Sequence, residues 1–414
     1  MLKRIIAGSL FLSIHGAVFS QDTIGYAINR NFAFINQEEN RLQNSTSLST
    51  FFEKLYLQKK NKNQKISILH IGDSHIQADF LTSKTRQLLQ TEFGNAGRGL
   101  IFPGRVARTN EPQNIYSNTN AQWESKRIVF TDKPLPIGIG AITLRTVQPN
   151  AKVGIRTFNL PPIDNAFNKL TLFFQKDSAS FNLAVKDSVG QDLAYVGSFS
   201  LDGYRNSSTV LLPYYVNKIE LQCLVPLPKQ SQLILYGISL ENQKSGVLYH
   251  AIGGNGAKVR HYLAAEYFVQ QTATLQPDLI IISLGTNEAI EYPYVDSQFN
   301  NQLLELITKL KANNPQTQIL ITTTADFYKK RTRRNPGVEV IRKKILEACD
   351  QNNWAYWDLY EVAGGKHSAD QWKKNKLLQS DGIHFTKAGY ELQGTLLYQA
   401  FLKAYNEYVL YRHP

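Results

Sequence analysis

The chain has 414 residues, 43% of them hydrophobic and 19% charged, enough apolar material to bury a core and enough length for two or three domains. Its formal net charge is +13, so an anionic partner fits. No helix-turn-helix, zinc-finger or RNP-type pattern accompanies that charge, which argues against nucleic acid and leaves an anionic polysaccharide or cell-wall surface.

Residues 1–20 open with Lys3 and Arg4, continue through a short apolar core and reach small residues near Ser20. This reads as a secretory signal cleaved after Ser20, because the apolar run is too short to span a bilayer comfortably. His15 interrupts that run, and an uncleaved anchor is the minor alternative. No other segment approaches 18 unbroken apolar residues. The mature protein is therefore expected to be exported, periplasmic or secreted, with no stable membrane insertion.

From 21 to 108 the pattern is α/β: a helix near Leu48–Lys60, an aliphatic strand Ile66–Ile71, then a helix over about Ala78–Phe93. Residues 109–244 change texture to short strands at near-regular spacing, among them "RIVF", "AITLRTV", "KLTLFFQ" and "KIELQCLV", with almost no helical period. Such a run predicts an antiparallel sandwich or jelly roll. Strand–helix alternation resumes over 245–414, where "PDLIIISLG" has the continuous aliphatic character of a parallel strand buried on both faces. A helix at Ser297–Asn313, the strand "TQILITTTA", a helix at Val338–Gln351, a strand at Trp354–Tyr360 and a last helix from about Lys387 to Tyr408 follow. The simplest topology is a flavodoxin-like doubly wound parallel sheet interrupted by an inserted β-sandwich.

Cys223 and Cys349 fall in different predicted domains, so a disulfide between them is not favoured. No CxxC or HExxH spacing occurs, and neither a metal nor a cofactor is expected. The basic run Tyr328–Arg334, "YKKRTRR", reads as a solvated loop rather than a binding patch.

Open α/β sheets carry their chemistry at the carboxyl ends of strands. Four predicted strand-end loops hold polar residues there: Asp73-Ser74-His75, "GGNGA" from Gly253, "GTNEA" from Gly285, and "SDGIHFT" from Ser380. A serine hydroxyl needs an adjacent base to attack at neutral pH, and Ser74 is the candidate nucleophile. His384 is the candidate base, with Asp381 three residues earlier to fix its tautomer. The backbone N–H groups of Ser74 and Gly256 and the Asn287 amide are candidate donors to an oxyanion. Other histidines fit less well. His70 and His250 lie inside strands, His261 and His367 lack a comparable acid, and His75 is adjacent to Ser74, so the two side chains diverge. Asp73 reads as a helix cap or loop-fixing residue, Gln77 and Asp79 as helix-start residues, and Glu288 as orienting its own loop. Trp123, Tyr204, Tyr214 and Tyr215 could stack on sugar rings, although core packing accounts for most such aromatics.

The blocks "IGDSH", "GGNGA", "GTNE" and "DGIH" together resemble the four blocks of the SGNH, or GDSL-like, hydrolase superfamily. The resemblance spans about 66–108 and 245–400. It implies a serine esterase with Ser74 as nucleophile, Gly256 and Asn287 as oxyanion donors, and Asp381 with His384 as acid and base. Gly254 is the fallback for the glycine, because the glycine-rich loop allows a shifted alignment. The histidine in "GDSH" and the β insertion after the first block resemble bacterial peptidoglycan O-acetylesterases. That narrower resemblance implies release of acetate from O-acetylated cell-wall glycan, the expected substrate. An O-acetyltransferase using the same triad, and a glycan-binding protein with an inert hydrolase unit, are the alternatives.

Overall fold

The computed structural model describes residues 23–27, 31–199 and 206–412. The expected signal segment and Tyr204 lie outside the described residues. Five strands form one sheet in the order Gly246–Gly253, Lys65–Gly72, Leu279–Ser283, Gln318–Thr322 and Ala355–Trp357. Every pairing is parallel. Counted along the chain this is 2-1-3-4-5, the flavodoxin-like winding, whose direction reverses between the first and third strands.

The aliphatic runs form these strands because both faces are covered. Ile66, Ile68, Leu279, Ile281 and Leu320 point into one core, with Phe51, Leu89 and Phe401 of the helices Ser49–Asn61, Phe80–Phe93 and Lys387–Tyr411. Leu69, Ile71, Ile280, Ile282, Ile319 and Ile321 point the other way, onto Leu303, Leu306, Ile341 and Ile345 of the helices Phe299–Asn313 and Gly337–Asn352. The period of two along each strand sorts side chains between the layers.

The β region forms two antiparallel sheets. One runs Ser207–Val216, Phe167–Phe174, Leu233–Glu241, Ile142–Thr146, Glu124–Arg127, with Gly99–Ile101 also on Leu233–Glu241. The other runs Ile115–Thr119, Lys152–Thr157, Lys218–Leu224, Asn182–Lys186, Asp192–Val196. Leu144, Leu172 and Leu235 from the first share a core with Ile155, Val185 and Leu221 from the second, so the pair is a sandwich. Its outer face is buried too: Ile234, Tyr236, Ile137 and Ile139 pack with Tyr262 and Phe268 of the α/β part. The strand Leu233–Glu241 is consequently buried on both faces along its whole length.

Four local expectations are corrected. "RIVF" is mostly a turn, since the strand there is Glu124–Arg127. The strand expected over Trp354–Tyr360 covers only Ala355–Trp357; Asp358 is drawn away by Arg342 and Thr323, and a short helix Leu359–Val362 begins. Gly99–Ile101 already belongs to a sandwich sheet. The helix expected over Ala78–Phe93 breaks at Asp79, whose φ is 56° and whose side chain caps nothing. Its carboxylate instead receives Arg86 at 2.9 Å, Arg98 at 2.6 Å and the Thr82 hydroxyl at 2.6 Å. Asp79, Arg86 and Arg98 are all buried. Both cysteines are free and buried, and burial pushes each thiol up to about 12. Among the described residues no helix is long and apolar enough to cross a membrane.

Replacing Asp79 by Asn leaves two buried guanidinium groups without their counter-charge. The expected cost is about 3–5 kcal/mol in urea unfolding. Glu305→Ala, which removes the exposed ion pair with Lys309, is expected to cost less than about 1 kcal/mol. Equal shifts in the two variants would refute this account of Asp79.

Candidate active site

The Lys65–Gly72 strand runs directly into a short helix, Ser74–Gln77, which places Ser74 at the carboxyl edge of the sheet. Asp73 holds the turn: its Oδ1 accepts from the His75 N–H at 2.9 Å, and its carbonyl accepts from the Ile76 and Gln77 N–H groups. The turn lies hard against the neighbouring strand end. A Cβ on Gly253 would stand 2.1 Å from the Gln77 nitrogen and 2.5 Å from the Asp73 carbonyl oxygen, so only glycine fits there.

The segment Asp381–His384 is a tight turn closed by its own acid. Asp381 Oδ1 accepts from the Ile383 N–H at 2.9 Å and the His384 N–H at 3.0 Å, while Oδ2 lies 2.7 Å from His384 Nδ1. Gly382 between them has φ of 76°, a left-handed conformation that favours glycine. On the other side of the ring, His384 Nε2 is 2.8 Å from Ser74 Oγ. A carboxylate on Nδ1 assigns the proton to that nitrogen and leaves Nε2 to accept from the serine. Burial works against the charged form of Asp381. Hydrogen bonds from the His384 ring and from the two amides outweigh it and hold the carboxyl below its usual range.

Ser74, Gly256, Asn287, Ile383, His384 and Tyr390 line one open cavity of about 510 Å³. Asp381 does not line it and joins the site through His384, while Gly254 is not available as a donor. The Gly254 N–H is spent on the Gly72 carbonyl at 3.2 Å. Gly256, with φ of 78°, and Ser74 keep their N–H groups free of protein acceptors among the described residues. Asn287 is fixed by one amide hydrogen, which it donates to the Ala257 carbonyl at 3.0 Å, leaving the other for the cavity. These are three donors beside one hydroxyl, where charge would develop on a carbonyl oxygen under attack.

Several supporting residues were invisible or misread in the sequence. Gln77 bridges the two loops: its Oε1 accepts from the Asn255 N–H at 2.7 Å and its Nε2 donates to Thr109 at 2.9 Å. No periodicity or motif marks that role. Glu288 orients the glycine loop, accepting from the Val259 N–H at 2.9 Å. His75 does not lead away from the site. Its Nδ1 is 2.9 Å from the Tyr390 hydroxyl, and its ring centroid is 5.2 Å from that of His384. A second serine–histidine contact, His70 Nε2 to Ser283 Oγ at 2.6 Å, is continued by Tyr249 rather than by an acid, and His70 is buried. Burial pushes His70 and His250 down to about 3 and His261 down to about 4. Among the described residues no group of three or more His, Cys, Asp or Glu is arranged to hold a metal ion.

With this geometry in hand, the chain can be set beside known proteins. The family model of the GDSL-like lipase/acylhydrolase family matches residues 234–392. That span holds the glycine loop, the Asn287 loop and the Asp381–His384 turn but starts after the Ser74 block, which the inserted strands separate from the rest. Among solved structures, the chain is similar to a peptidoglycan O-acetylesterase, with 20% identity and a TM-score of 0.73 over 88% of this chain and 98% of that one. At that identity the likeness is one of fold, and its extent includes the sandwich. Smaller likenesses are to a GDSL-like lipase from Parabacteroides merdae (19% identity, 38% of this chain and 72% of that one, TM-score 0.31), and to a catalytic mutant of the acetylxylan esterase Axe2 from Geobacillus stearothermophilus (19%, 39% and 73%, TM-score 0.28). No curated protein matches the sequence.

Burial pushes the Glu288 carboxyl up to about 7, and the backbone hydrogen bond from Val259 only partly opposes it. A carboxyl whose folded pKa is raised binds more protons in the native state, so stability is greatest below the unfolded value, near 4.3. It is then lost as pH rises towards 7. Stability from urea unfolding is expected to fall over that interval in the wild type and to stay flatter in Glu288→Gln. Parallel pH curves for the two would refute the assignment.

Proposed function

We propose that this chain, an SGNH-type (GDSL-like) serine esterase, is exported and removes O-acetyl groups from cell-wall glycan. The hydrolase unit is drawn from residues 21–108 and 245–414 and the inserted sandwich from 109–244, except that Gly99–Ile101 pairs into the sandwich. The reading rests above all on one observation, the unbroken hydrogen-bond chain from Ser74 Oγ through His384 to Asp381 at the mouth of an open cavity. The substrate class is carried over from the peptidoglycan O-acetylesterase whose fold spans both units. The net charge of +13 suits a carboxylate-bearing polymer.

In this mechanism Ser74 Oγ attacks the acetyl carbonyl carbon as His384 Nε2 takes its proton. The oxyanion is held by the N–H groups of Ser74 and Gly256 and by the Asn287 amide. Asp381 keeps the ring oriented and stabilises the imidazolium without itself becoming protonated. The tetrahedral adduct collapses, the C–O bond to the sugar breaks, and His384 returns the proton to the departing sugar oxygen. Water then repeats the sequence on the acetyl-enzyme, with His384 again as base, and acetate leaves with Ser74 restored.

Ser74→Ala is expected to lower acetate release from O-acetylated peptidoglycan by a factor on the order of 10⁴ or more, with the unfolding curve unchanged. Activity within tenfold of wild type would remove the proposal. Gln77→Leu frees the Asn255 N–H and loosens the loop carrying Gly256. Because one oxyanion donor is worth about a hundred- to a thousandfold, partial misplacement should lower kcat by roughly tenfold with KM little changed. A pure KM effect would instead assign Gln77 to substrate binding.

A further inference from the structure

The basic run Tyr328–Arg334 folds as a hairpin, Tyr328–Lys329 paired with Arg333–Arg334, and it is built onto the loop that carries Asp381 and His384. The Tyr328 N–H donates to the Gly382 carbonyl at 2.8 Å. A Cβ on Gly382 would stand 3.1 Å from the Arg331 carbonyl oxygen. Gly382 is two residues from His384, a reach of at most about 7 Å of chain.

The hairpin's residues divide into two groups. Those of its frame are engaged: Tyr328 donates to Asp370, Arg334 pairs with Asp370 at 2.9 Å, and Lys329 donates to the Tyr292 carbonyl. Lys330, Arg331 and Arg333 are exposed and have no ion-pair partner among the described residues. Two of these three also sit where the backbone disfavours them. Lys330 has φ of 54° and Arg331 φ of 69°, conformations in which glycine or asparagine is the easy choice. Unpaired cations on a hairpin hydrogen-bonded to the loop that carries Asp381 and His384 suit a ligand that brings the missing charge.

We infer that the tip of this hairpin is a carboxylate-binding subsite, with Lys330, Arg331 and Arg333 holding the carboxylates of a cell-wall glycan strand while one of its acetyl esters lies at Ser74. The inference rests on the esterase reading above and names what that reading leaves open, the feature by which the site tells a charged polymer from a simple ester. The solvent screening length is about 8–10 Å at physiological salt, so charges on this hairpin act over a short range and weaken as salt rises.

The test is the reversal variant Lys330→Glu/Arg331→Glu/Arg333→Glu. On p-nitrophenyl acetate, which carries no carboxylate, kcat/KM is expected to stay within twofold of wild type. On O-acetylated peptidoglycan fragments it is expected to fall tenfold or more at low salt, mainly through KM, and the wild type's salt dependence should disappear. Equal losses on both substrates, or none on the glycan, would overturn the proposal. A second readout does not depend on hydrolysis: retention by de-O-acetylated sacculi, measured by co-sedimentation. Wild-type protein should be retained, and retention should be lost in the reversal variant and on sacculi whose carboxyls have been amidated. Unchanged retention in either case would overturn the subsite. Retention that behaves as expected, with no acetate released by the wild type, would overturn the esterase reading while sparing the subsite.

Discussion

The hydrogen bond between Ser74 and His384 joins residues 310 positions apart, and the rest of the molecule can be understood as the means of making it. Neither residue is placed by its local sequence alone. Ser74 is where it is because the Lys65–Gly72 strand is second in a parallel sheet and ends at that sheet's carboxyl edge. His384 reaches the same edge because the last helix, Lys387–Tyr411, packs along Phe80–Phe93 and fixes the turn that precedes it. The Thr386 side chain caps that helix by accepting from the Gly389 N–H, so the histidine loop ends where the helix begins. A parallel sheet with this winding converges distant loops at its point of reversal. Ser74 follows the first strand and Asn287 the third, on either side of that point.

An insertion of more than a hundred residues between the first and second strands of the sheet would ordinarily threaten that convergence. Here its two stems are joined before they leave. The Val247 N–H donates to the Gly94 carbonyl at 2.8 Å, and the Asn242 N–H to the Ala96 carbonyl at 3.1 Å. Gly99–Ile101 then pairs with Leu233–Glu241. At Gly97 a Cβ would come within 2.6 Å of the Glu241 Cα, so the stems approach as closely as backbones can. The loop the sheet must close is therefore short whatever its contour, and the apolar outer face of the sandwich adds a shared core below the joint. The sandwich is fused to the hydrolase sheet.

What the sequence discloses follows from how local each signal is. The central strands Lys65–Gly72, Leu279–Ser283 and Gln318–Thr322 are written as largely aliphatic runs because both faces are covered, and a run of that kind needs no partner to be recognised. The polar residues at their ends stand out by contrast, which is why Ser74, Asn287, Asp381 and His384 could be named. Gly254 and Gly256 could not be separated by motif, since the difference lies in a hydrogen bond to Gly72 across the sheet. Asp79 does stand at a helix start, but its role as counter-charge is not legible, because Arg86 and Arg98 become its partners only after folding. Gln77 reads only as a helix-start residue, because a carboxamide that bridges two loops has no spacing to betray it. Strands such as Gly99–Ile101, three residues long and rich in glycine, carry too few side chains for any period to register.

The arrangement of charge around His384 has its own logic. During turnover that imidazole must accept a proton, and its ring centroid lies 5.2 Å from that of His75. Were His75 also charged, the repulsion at an effective dielectric of 20 would be about 3 kcal/mol, roughly a hundredfold in rate. Burial lowers the pKa of His75, in opposition to the attraction of Asp73, and so favours its neutral form. Its Nδ1 is engaged by the Tyr390 hydroxyl, itself held protonated because burial raises its pKa. The deeper histidines, His70 and His250, are likewise neutral, with pKa values down to about 3. The imidazolium thus forms beside the His75 ring, whose neutral form is favoured, and against the Asp381 carboxylate on Nδ1. A histidine immediately after the nucleophile is compatible with a charge-separating mechanism because its surroundings favour the neutral ring.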